Sequence, residues 1–395
     1  MTRSHQIAVY YFPGYHADPR VNEWHGEGWT EWELLKRAEP RFPGHQQPKV
    51  PAWGYQDESQ PAVAEQQINA AADHGIDAFI YDWYWYGNAP FLNGALDHGY
   101  LHARNNARPR FALMWANHDW VNIHPAVRGT SPPVLVPGRQ SRAHFEAATD
   151  YVVRHYLRHP SYWRVEGGAY FSFYELMRLV RGLGGIEETR AALDSFRAKA
   201  RAAGAGELHL NAVVWGIQIL PGESHHEDPK LMLAKLGFES VTSYVWIHHT
   251  PMTTFPTVPY PDYARAAAED WERLAGAYGL PYFPNVTVGW DPSPRTVQSD
   301  SYDNLGYPFT SILVGNTPEQ FGRALERARA FLDRGLTNPP ILTINAWNEW
   351  TEGSYLEPDA IHGMGYLEAI KRVFGAEAVV VEAARRVEHV SRPVP

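Results

Sequence analysis

Residues 341–349, with the sequence ILTINAWNE, form a short run of β-branched, apolar and aromatic residues that ends in a carboxylate. Such a composition is typical of a buried strand. Seven runs of the same character precede it, at residues 7–12, 77–85, 110–116, 169–175, 208–215, 241–247 and 282–290. Turn residues bound each run, so the sequence predicts eight strands.

Helix-like segments alternate with these runs. They are residues 62–74, 94–106, 142–157, 186–203, 229–236, 261–278, 317–334 and 364–374. Asp228 and Thr317, each followed by proline, are typical N-caps. Gly75, Gly237 and Gly335 stand where helices should end.

The repeated strand–helix unit predicts an α/β protein, a (β/α)8 TIM barrel with long βα loops, because parallel strands need helical crossovers. An open doubly wound sheet is the alternative. That fold usually has a glycine-rich phosphate turn after its first strand, whereas this chain has Pro13-Gly14-Tyr15-His16 there.

The length of 395 residues exceeds the ~250 of a typical barrel. The excess falls mainly after the strands, at residues 13–61, 117–141, 216–228, 248–260 and 291–316. We therefore expect one catalytic domain over residues 1–395, with insertions after strands 1, 3, 5, 6 and 7. In a barrel these loops lie together at the face where active sites form.

Composition excludes several classes of protein. The net charge of −9 argues against a nucleic-acid partner, which would require a basic surface. The absence of cysteine excludes disulfides, thiolate metal sites and cysteine nucleophiles. No apolar stretch approaches 18 residues, so we expect no membrane span. Met1 to Gln6 leads directly into the first strand without a signal peptide, so we expect a cytoplasmic protein.

Aromatic residues are unusually frequent, with 15 Trp, 22 Tyr and 16 Phe. Trp and Tyr combine a flat apolar face with a polar edge, which matches the apolar face and hydroxyl rim of a sugar ring. Core filling is the alternative for each of them.

The eighth strand carries the main candidates for catalysis. Side-chain alternation places Thr343, Asn345 and Glu349 on one face, and the opposite face is more apolar. Since the apolar face suits packing against helices, the first face should look into the barrel, with Glu349 at its mouth. Glu352 follows in the loop, and Gly353 lets the chain turn close to it.

Glu349 and Glu352 suggest acid–base chemistry on a glycosidic bond. That reaction requires one protonated acid and one ionised group, with pKa values pushed apart by their surroundings. Trp347 and Trp350 would supply an apolar environment. The alternative is an ordinary ion pair between either glutamate and an arginine.

Other candidates for substrate binding share a position at or near a strand end. Aromatic walls with a few polar groups suit an uncharged polyhydroxylated ligand, so the expected partner is a carbohydrate. The candidates are Tyr11, Asp82, Tyr84, Asn117, His118, Asp119, Glu175, Trp215, Trp246, His248, Trp290, Trp347 and Asn348.

The loop after the first strand is dense in aromatic and acidic residues, with three Trp and three Glu in residues 23–32. We predict that this loop is a flap over the barrel mouth and that Trp24 and Trp29 contact the substrate. The alternative is a loop that covers the barrel rim for stability alone.

Metal and nucleophile motifs are absent from the sequence. His225-His226 and His248-His249 are adjacent pairs and lack the helical spacing and glutamate of zinc proteases. The Gly-x-Ser-x-Gly elbow and the Gly-x-x-x-x-Gly-Lys phosphate loop are also missing. We expect no metal and no cofactor.

Three motifs carry a resemblance to a known family. They are Asn22-Glu23-Trp24 with GWTEW at 28–32, GHQQP at 44–48, and AWNEWTEG at 346–353 followed by LEPD at 356–359. Together they resemble the glycoside hydrolase family 99-like, or WbsX-type, proteins, over nearly the whole chain. The resemblance implies a (β/α)8 barrel and action on glycosidic bonds.

The relatives with known chemistry are the endo-α-mannosidases of family 99, which retain anomeric configuration without a carboxylate nucleophile. The resemblance implies that Glu349 removes the proton of the substrate's 2-hydroxyl, which attacks C1 to form a 1,2-anhydro sugar. It implies that Glu352 protonates the leaving oxygen and later activates water. Two alternatives stay open: a glycosyltransferase of O-antigen-type polysaccharide synthesis and a non-catalytic sugar-binding barrel.

Overall fold

A closed ring of parallel strands forms the centre of the computed structural model, which describes residues 5–220 and 229–375. The strands are β1 (Gln6–Tyr11), β2 (Ala78–Tyr86), β3 (Arg110–Trp115), β4 (Gly168–Phe173), β5 (Leu208–Val213), β6 (Ser240–Thr242), β7 (Tyr282–Phe283 and Asn285–Thr287) and β8 (Ile341–Asn345). Each pairs in parallel with the next, and β8 returns to β1 with Leu342 opposite Ile7. The predicted TIM barrel is confirmed.

The seventh strand is interrupted at Pro284. Its first segment pairs with β6 and its second with β8, so both halves are needed to close the barrel. Proline has no N–H to give to a ladder, which explains the break. The Pro284 carbonyl still accepts from the Thr343 backbone N–H at 2.9 Å.

Helices cover the outside of the barrel, with Pro61–Asp73 before β2, Arg142–His155 before β4 and Leu176–Leu183 with Ile186–Ala202 before β5. Pro229–Leu236, Tyr260–Ala277 and Pro318–Asp333 precede β6, β7 and β8, and Gly365–Phe374 follows β8. The Thr317 side chain accepts from Gln320 N, so the predicted cap is confirmed; Asp228 lies outside the described residues. The three glycines predicted to end helices all adopt positive φ.

Two sequence predictions of regular structure are wrong. Residues 94–106 form only a π-type turn, Ala95–Gly99, and a 3₁₀ turn, Tyr100–His102. Here Gly99 packs directly onto backbone, since a Cβ on it would lie 2.4 Å from the Glu58 carbonyl oxygen. The sixth strand ends at Thr242 rather than 247, and the chain then turns into a 3₁₀ segment, Trp246–His248.

Small polar side chains fill part of the barrel interior and hydrogen-bond to one another. Ser172 Oγ donates to Asn211 Oδ1 at 2.9 Å, and Asn211 Nδ2 donates to Ser240 Oγ at 2.8 Å. Thr343 Oγ1 accepts from Asn285 Nδ2 at 3.2 Å. Thr343 therefore faces inward, as its place on the polar face of β8 predicts.

The connections after the strands carry their own short elements. The loop after β1 contains the helices Pro19–His25 and Trp32–Arg37. Ala89–Phe91 extends from β2 as a hairpin, Trp120–Val121 pairs with Val134–Val136, and Thr257–Pro259 pairs with Ile312–Val314. No helix in the described part of the chain is both long and apolar enough to cross a membrane.

Candidate active site

A cavity of about 680 Å³ opens at the carboxyl ends of the strands. Asp82 and Tyr84 reach it from β2, Tyr244 follows β6, and Glu349 and Glu352 follow β8. This is the end of a (β/α)8 barrel at which catalytic residues meet. Its other walls include Phe12, Glu31, His118, Asp119, Trp120, His124, Tyr174, His248, Trp290, Arg295 and Tyr307.

A tight bend holds the two glutamates of the eighth strand. Asn348–Glu349 pairs antiparallel with Ser354–Tyr355, and Glu352 lies in the turn between them. Gly353 closes the turn at φ 64°, and a Cβ on it would lie 2.7 Å from Asp291 Cβ. Glu349 and Glu352 are only 4% and 7% exposed, yet both line the cavity.

A buried arginine pairs with both glutamates. Arg295 Nη2 lies 3.1 Å from Glu349 Oε2, and Arg295 Nη1 lies 2.5 Å from Glu352 Oε1. The same guanidinium donates to Glu31 Oε2 at 3.1 Å. The ion-pair alternative is therefore present in the structure, but one guanidinium faces three carboxyl groups, which favours protonated forms within the cluster.

The third carboxylate, Glu31, is the ionised partner of the arginine. Burial alone would raise its pKa, but the Arg295 charge and His124, with a hydrogen bond from Thr351, outweigh burial and lower the pKa to about 2. His124 Nε2 lies 3.1 Å from Glu31 Oε1. Glu31 is therefore an ionised carboxylate that shares Arg295 with Glu349 and Glu352.

The pKa values of the two glutamates after β8 are shifted in the opposite direction, upward. Burial, reinforced by the charge of Glu352, raises the pKa of Glu349 well above its ordinary value. Burial also raises the pKa of Glu352, against the Arg295 charge and a hydrogen bond from Tyr307 Oη at 2.7 Å. A raised pKa suits Glu352 to donate a proton near neutral pH, and it makes the carboxylate of Glu349 a stronger base when that group is ionised.

Neutral histidines and aromatic rings form the opposite wall. Burial lowers the pKa of His118 to about 4, and burial lowers the pKa of His248 well below its ordinary value. His248 Nε2 lies 3.3 Å from Tyr174 Oη, and the Tyr84 ring meets His118 edge-on. These groups offer hydrogen bonds and apolar ring faces without adding charge.

The GHQQP motif at 44–48 ties two loops together. His45 Nε2 lies 2.8 Å from Asp291 Oδ2, and Gln47 Nε2 donates to the same oxygen at 2.7 Å. Asp291 N in turn donates to the Glu352 carbonyl at 2.5 Å. The motif therefore supports the backbone that carries Glu352.

Comparison with known proteins places the chain in a family. A model of the family described as glycosyltransferase WbsX matches residues 7–370. The chain belongs to the WbsX family. It is 30% identical over 381 residues to the uncharacterized protein WxcX of two strains of Xanthomonas campestris pv. campestris, B100 and ATCC 33913. The alignment covers 93% of this chain and 49% of WxcX, so the chain spans about half the length of these relatives.

Solved structures share the fold of this WbsX-family protein. The GH99 endo-alpha-mannosidase of Bacteroides thetaiotaomicron aligns over 96% of this chain and 98% of its own, with a TM-score of 0.55 and 13% identity. A glycoside hydrolase-like protein aligns over 94% of each chain, with a TM-score of 0.57 and 14% identity. At these identities the likeness concerns the fold alone.

Eight of the residues predicted from the sequence meet at the cavity of the WbsX-family chain. They are Asp82, Tyr84, His118, Asp119, His248, Trp290, Glu349 and Glu352. Their role toward a substrate stays a prediction. The sequence analysis missed Phe12, His124, Tyr174, Tyr244, Arg295 and Tyr307 as site residues, and it placed Glu31 only in the flap.

Two predicted residues of the β1–β8 seam point toward the helices instead. Tyr11 Oη donates to Gln67 on helix Pro61–Asp73 at 2.9 Å, and Trp347 packs edge-on against Phe79. Trp347 leaves the inward face because β8 ends at Asn345, so alternation no longer applies. These placements correct their assignment to the sugar site.

Asn348, Asn117 and Glu175 hold backbone together. Asn348 exchanges two hydrogen bonds with the Phe12 backbone, at 2.8 and 2.7 Å. Asn117 does the same with the Glu175 backbone, at 2.8 Å for both bonds. The Glu175 carboxylate pairs with Arg178 at 3.0 Å. We leave these three out of the proposed site, because their polar groups are already engaged.

Four predicted tryptophans do not line the cavity. Trp246 Nε1 donates to the Asn285 carbonyl at 2.8 Å, on the outer side of the barrel against Tyr260. Trp215 lies behind the wall formed by Tyr174 and His248. The remaining two belong to the loop after β1 and are half-buried: Trp24 packs on Phe91 and Trp29 stacks on His25.

The predicted flap nevertheless reaches the cavity through Glu31, which makes the loop after β1 part of its wall. Within residues 5–220 and 229–375, no group of three or more His, Asp or Glu side chains could hold a metal ion. The pair His225-His226 lies outside these residues.

Proposed function

We propose that this WbsX-family chain is a glycoside hydrolase that cleaves an oligo- or polysaccharide with retention of configuration. The supporting observation is that Glu349 and Glu352 project from one bend into one cavity, buried and with raised pKa values. The solved endo-alpha-mannosidase with the same fold makes α-mannosyl oligosaccharides the first substrates to test.

In the proposed first step, the Glu349 carboxylate removes the proton from the sugar's 2-hydroxyl. The oxygen attacks C1, the C1–O bond to the leaving group breaks, and the Glu352 carboxylic acid protonates the leaving oxygen. The products are a 1,2-anhydro sugar and the shortened alcohol, with Glu349 protonated and Glu352 ionised.

In the second step Glu352 accepts a proton from water, and the resulting nucleophile attacks C1. The C1–O2 bond breaks, and O2 recovers its proton from Glu349. Both glutamates return to their starting states, and two inversions at C1 give net retention.

Electrostatics favour hydrolysis over transfer from a nucleotide sugar. Among the described residues that line the cavity are five with carboxyl side chains, Glu31, Asp82, Asp119, Glu349 and Glu352, and one with a guanidinium, Arg295; Asp119 also pairs with Arg178. A nucleoside diphosphate requires positive groups around its phosphates. The name of the family model keeps the transferase as a second candidate, and release of nucleotide from nucleotide sugars would support it.

The function is tested with a panel of short glycans, beginning with α-mannosyl oligosaccharides, by the appearance of new reducing ends. We expect wild type to cleave a member of the panel, and Glu349→Gln and Glu352→Gln to bind it without cleaving it. Glu368→Gln, on the surface of helix Gly365–Phe374, is the matched control. Wild-type rates in both active-site variants would contradict the assignment, and binding without turnover in wild type would indicate a sugar-binding barrel.

A further inference from the structure

Tyr244 bridges two carboxyl groups of the cavity. Its hydroxyl oxygen lies 2.9 Å from Asp82 Oδ2 and 3.2 Å from Glu349 Oε1. Tyr244 follows β6, Asp82 lies on β2 and Glu349 follows β8, so the contact joins three separate parts of the barrel. All three side chains are buried.

A phenol has one hydrogen and can donate to only one of these carboxyl groups. Burial raises the pKa of Tyr244 well above its ordinary value, so the phenol keeps that hydrogen. The second contact is attractive only if its carboxyl group is protonated and donates to the phenol oxygen. If Asp82 and Glu349 were both ionised, one of the two carboxylates would face the lone pairs of the Tyr244 oxygen in a low-dielectric interior, and that contact would be repulsive. Asp82 and Glu349 must therefore hold one proton between them.

Asp82 is the better holder of this proton. Its second oxygen, Oδ1, is buried and has no hydrogen-bond partner among the described residues. A buried oxygen without a hydrogen-bond partner costs much less free energy when it belongs to a neutral carboxylic acid than when it belongs to a charged carboxylate. Glu349, in contrast, places Oε2 3.1 Å from Arg295 Nη2, which stabilises its ionised form.

The other groups around Asp82 act in the same direction. Burial raises the pKa of Asp82 well above the ordinary value, the hydrogen bond from Tyr244 opposes this rise, and the charge of Glu352 adds to it. Burial raises the pKa of Glu349 as well, but there the Arg295 charge opposes the rise. None of the described cationic side chains forms an ion pair with Asp82, since Arg295 contacts the glutamates instead. The titratable groups that interact with Asp82 are Tyr10, Tyr84, Tyr244, Glu349 and Glu352.

We propose that Asp82 is a positioning residue that holds a proton and, through Tyr244, keeps Glu349 ionised as the base. This rests on the proposed function and deepens it. In the resting state Asp82 donates to the Tyr244 oxygen, and Tyr244 donates to Glu349 Oε1. Glu349 then accepts the proton of the 2-hydroxyl, and the Asp82 proton does not leave during the reaction.

The first experiment needs no substrate. Infrared difference spectra are recorded between wild type and Asp82→Asn at neutral pH. In Asp82→Asn an amide N–H replaces the acid O–H, so Tyr244 keeps its donor while one carboxylic acid disappears. We expect the difference to contain one carboxylic-acid C=O band from wild type. Carboxylate bands in its place would show that Asp82 is ionised and would overturn the proposal.

The second experiment measures kcat/KM against pH on the glycan found by the panel. We expect Asp82→Asn to keep more activity than Asp82→Ala and to leave the acidic limb in place, because the amide reproduces the neutral donor. Tyr244→Phe should move the acidic limb upward by about one pH unit or more, because Glu349 loses the phenol donor that stabilises its ionised form. Asp82→Ala should move the limb in the same direction by less, because Tyr244 still donates to Glu349 but no longer accepts from an acid. An Asp82→Asn loss as large as that of Asp82→Ala, with the limb unmoved, would overturn the proposal.

The two experiments separate the failure of this inference from the failure of the proposed function. If no glycan is cleaved, the hydrolase is contradicted while the infrared band still decides the protonation of Asp82. If glycans are cleaved and the carboxylic-acid band is absent, the hydrolase assignment is supported and the proposed role of Asp82 is contradicted.

Discussion

Arg295 donates from Nη1 to Glu352 Oε1 at 2.5 Å, so the candidate acid/base is in direct contact with a buried positive charge. The same guanidinium reaches Glu31 and Glu349, and its side chain is 7% exposed. An arginine in this place holds three loops together, because Glu31 follows β1, Arg295 follows β7 and Glu352 follows β8.

Replacing this arginine should destabilise the fold in a pH-dependent way. We expect Arg295→Gln to lower the free energy of unfolding by about 3–5 kcal/mol at pH 7, because it leaves buried carboxylates without their cation. The loss should be smaller at pH 3, because the stability that comes from the lowered pKa of Glu31, about 2, is lost as the pH falls from about 4 toward that value. Urea denaturation of wild type and variant at both pH values measures this.

The control for Arg295→Gln is Arg323→Gln, whose ion pair with Glu319 is on the surface, with both side chains more than half exposed. Its unfolding free energy should be close to that of wild type. An Arg295→Gln protein as stable at pH 7 as the control would mean that the guanidinium does not compensate the cluster.

Glu31→Gln should shift the pH dependence of activity. With Glu31 neutral, the Arg295 charge acts more fully on Glu352, and the negative charge that raises the pKa of Glu352 is gone. Both effects lower the pKa of Glu352. The alkaline limb, which reports loss of the protonated acid, should therefore move down by about one pH unit or more. The kcat/KM profile measures the shift.

Glu33→Gln, in the same loop and paired with Lys36 at the surface, is the matched control and should leave the profile in place. A pH profile of Glu31→Gln that superimposes on that of wild type would show that Glu31 does not set the pKa of Glu352.

The barrel and the position of the pair Glu349 and Glu352 could be predicted from sequence because both depend on local order. The alternation of strand runs and helices determines which strand ends meet at one face of the barrel. The inward direction of Thr343 follows from side-chain alternation along β8, and the place of Glu349 at the barrel mouth follows from its position at the end of the run. Trp347 could not be placed in this way, because the side it faces depends on where β8 ends, at Asn345. Trp246 was misplaced for the same reason, since β6 ends at Thr242.

Arg295 and Tyr244 gave no sequence signal. Arg295 lies within residues 291–316, an insertion without periodicity, and its role appears only when that loop folds back on Glu31. Tyr244 was assigned to the interior of a longer strand, whereas the chain turns after Thr242 and brings the phenol to Asp82. Long-range contacts of this kind are set by tertiary packing, which residue pattern does not encode.

Substrate analogues should divide the work of the two glutamates. An aryl glycoside whose leaving group is the anion of a phenol of low pKa needs no general acid in the first step. Glu352→Gln should therefore break the bond between C1 and the phenolate oxygen at a rate near that of wild type. Glu349→Gln should stay inactive on it, because the 2-hydroxyl keeps its proton. Burst kinetics of phenolate release distinguish the two variants.

A 2-deoxy-2-fluoro analogue of the same glycoside has no 2-hydroxyl. We expect no turnover and no covalent sugar on the protein, by mass spectrometry of the intact chain. A stable glycosyl adduct on Glu349 would instead indicate a carboxylate nucleophile and would contradict the 1,2-anhydro intermediate.

A second buried carboxyl pair, Glu58 and Glu357, lies behind the eighth strand. Glu58 Oε1 accepts from Asn348 Nδ2 at 2.7 Å, and its Oε2 is buried without a partner among the described residues. Glu357 accepts from Gln67 and from Trp350 Nε1, at 2.8 and 2.6 Å. Burial, with the charge of Glu357, raises the pKa of Glu58 well above its ordinary value, and burial raises the pKa of Glu357 to about 7.

This pair should make the protein less stable as the pH rises. An unfolded glutamate titrates near ~4.3, so the folded state binds more protons than the unfolded state between there and about pH 7, where the raised pKa of Glu357 lies. The unfolding free energy must fall over that interval.

Glu58→Gln keeps the oxygen that accepts from Asn348 and removes one titrating group. We therefore expect it to be more stable than wild type at pH 8 and to have a flatter dependence of unfolding free energy on pH between 5 and 8. Surface variant Glu368→Gln should follow the wild-type curve, and a Glu58→Gln curve parallel to that of wild type would show that the pair holds no extra proton.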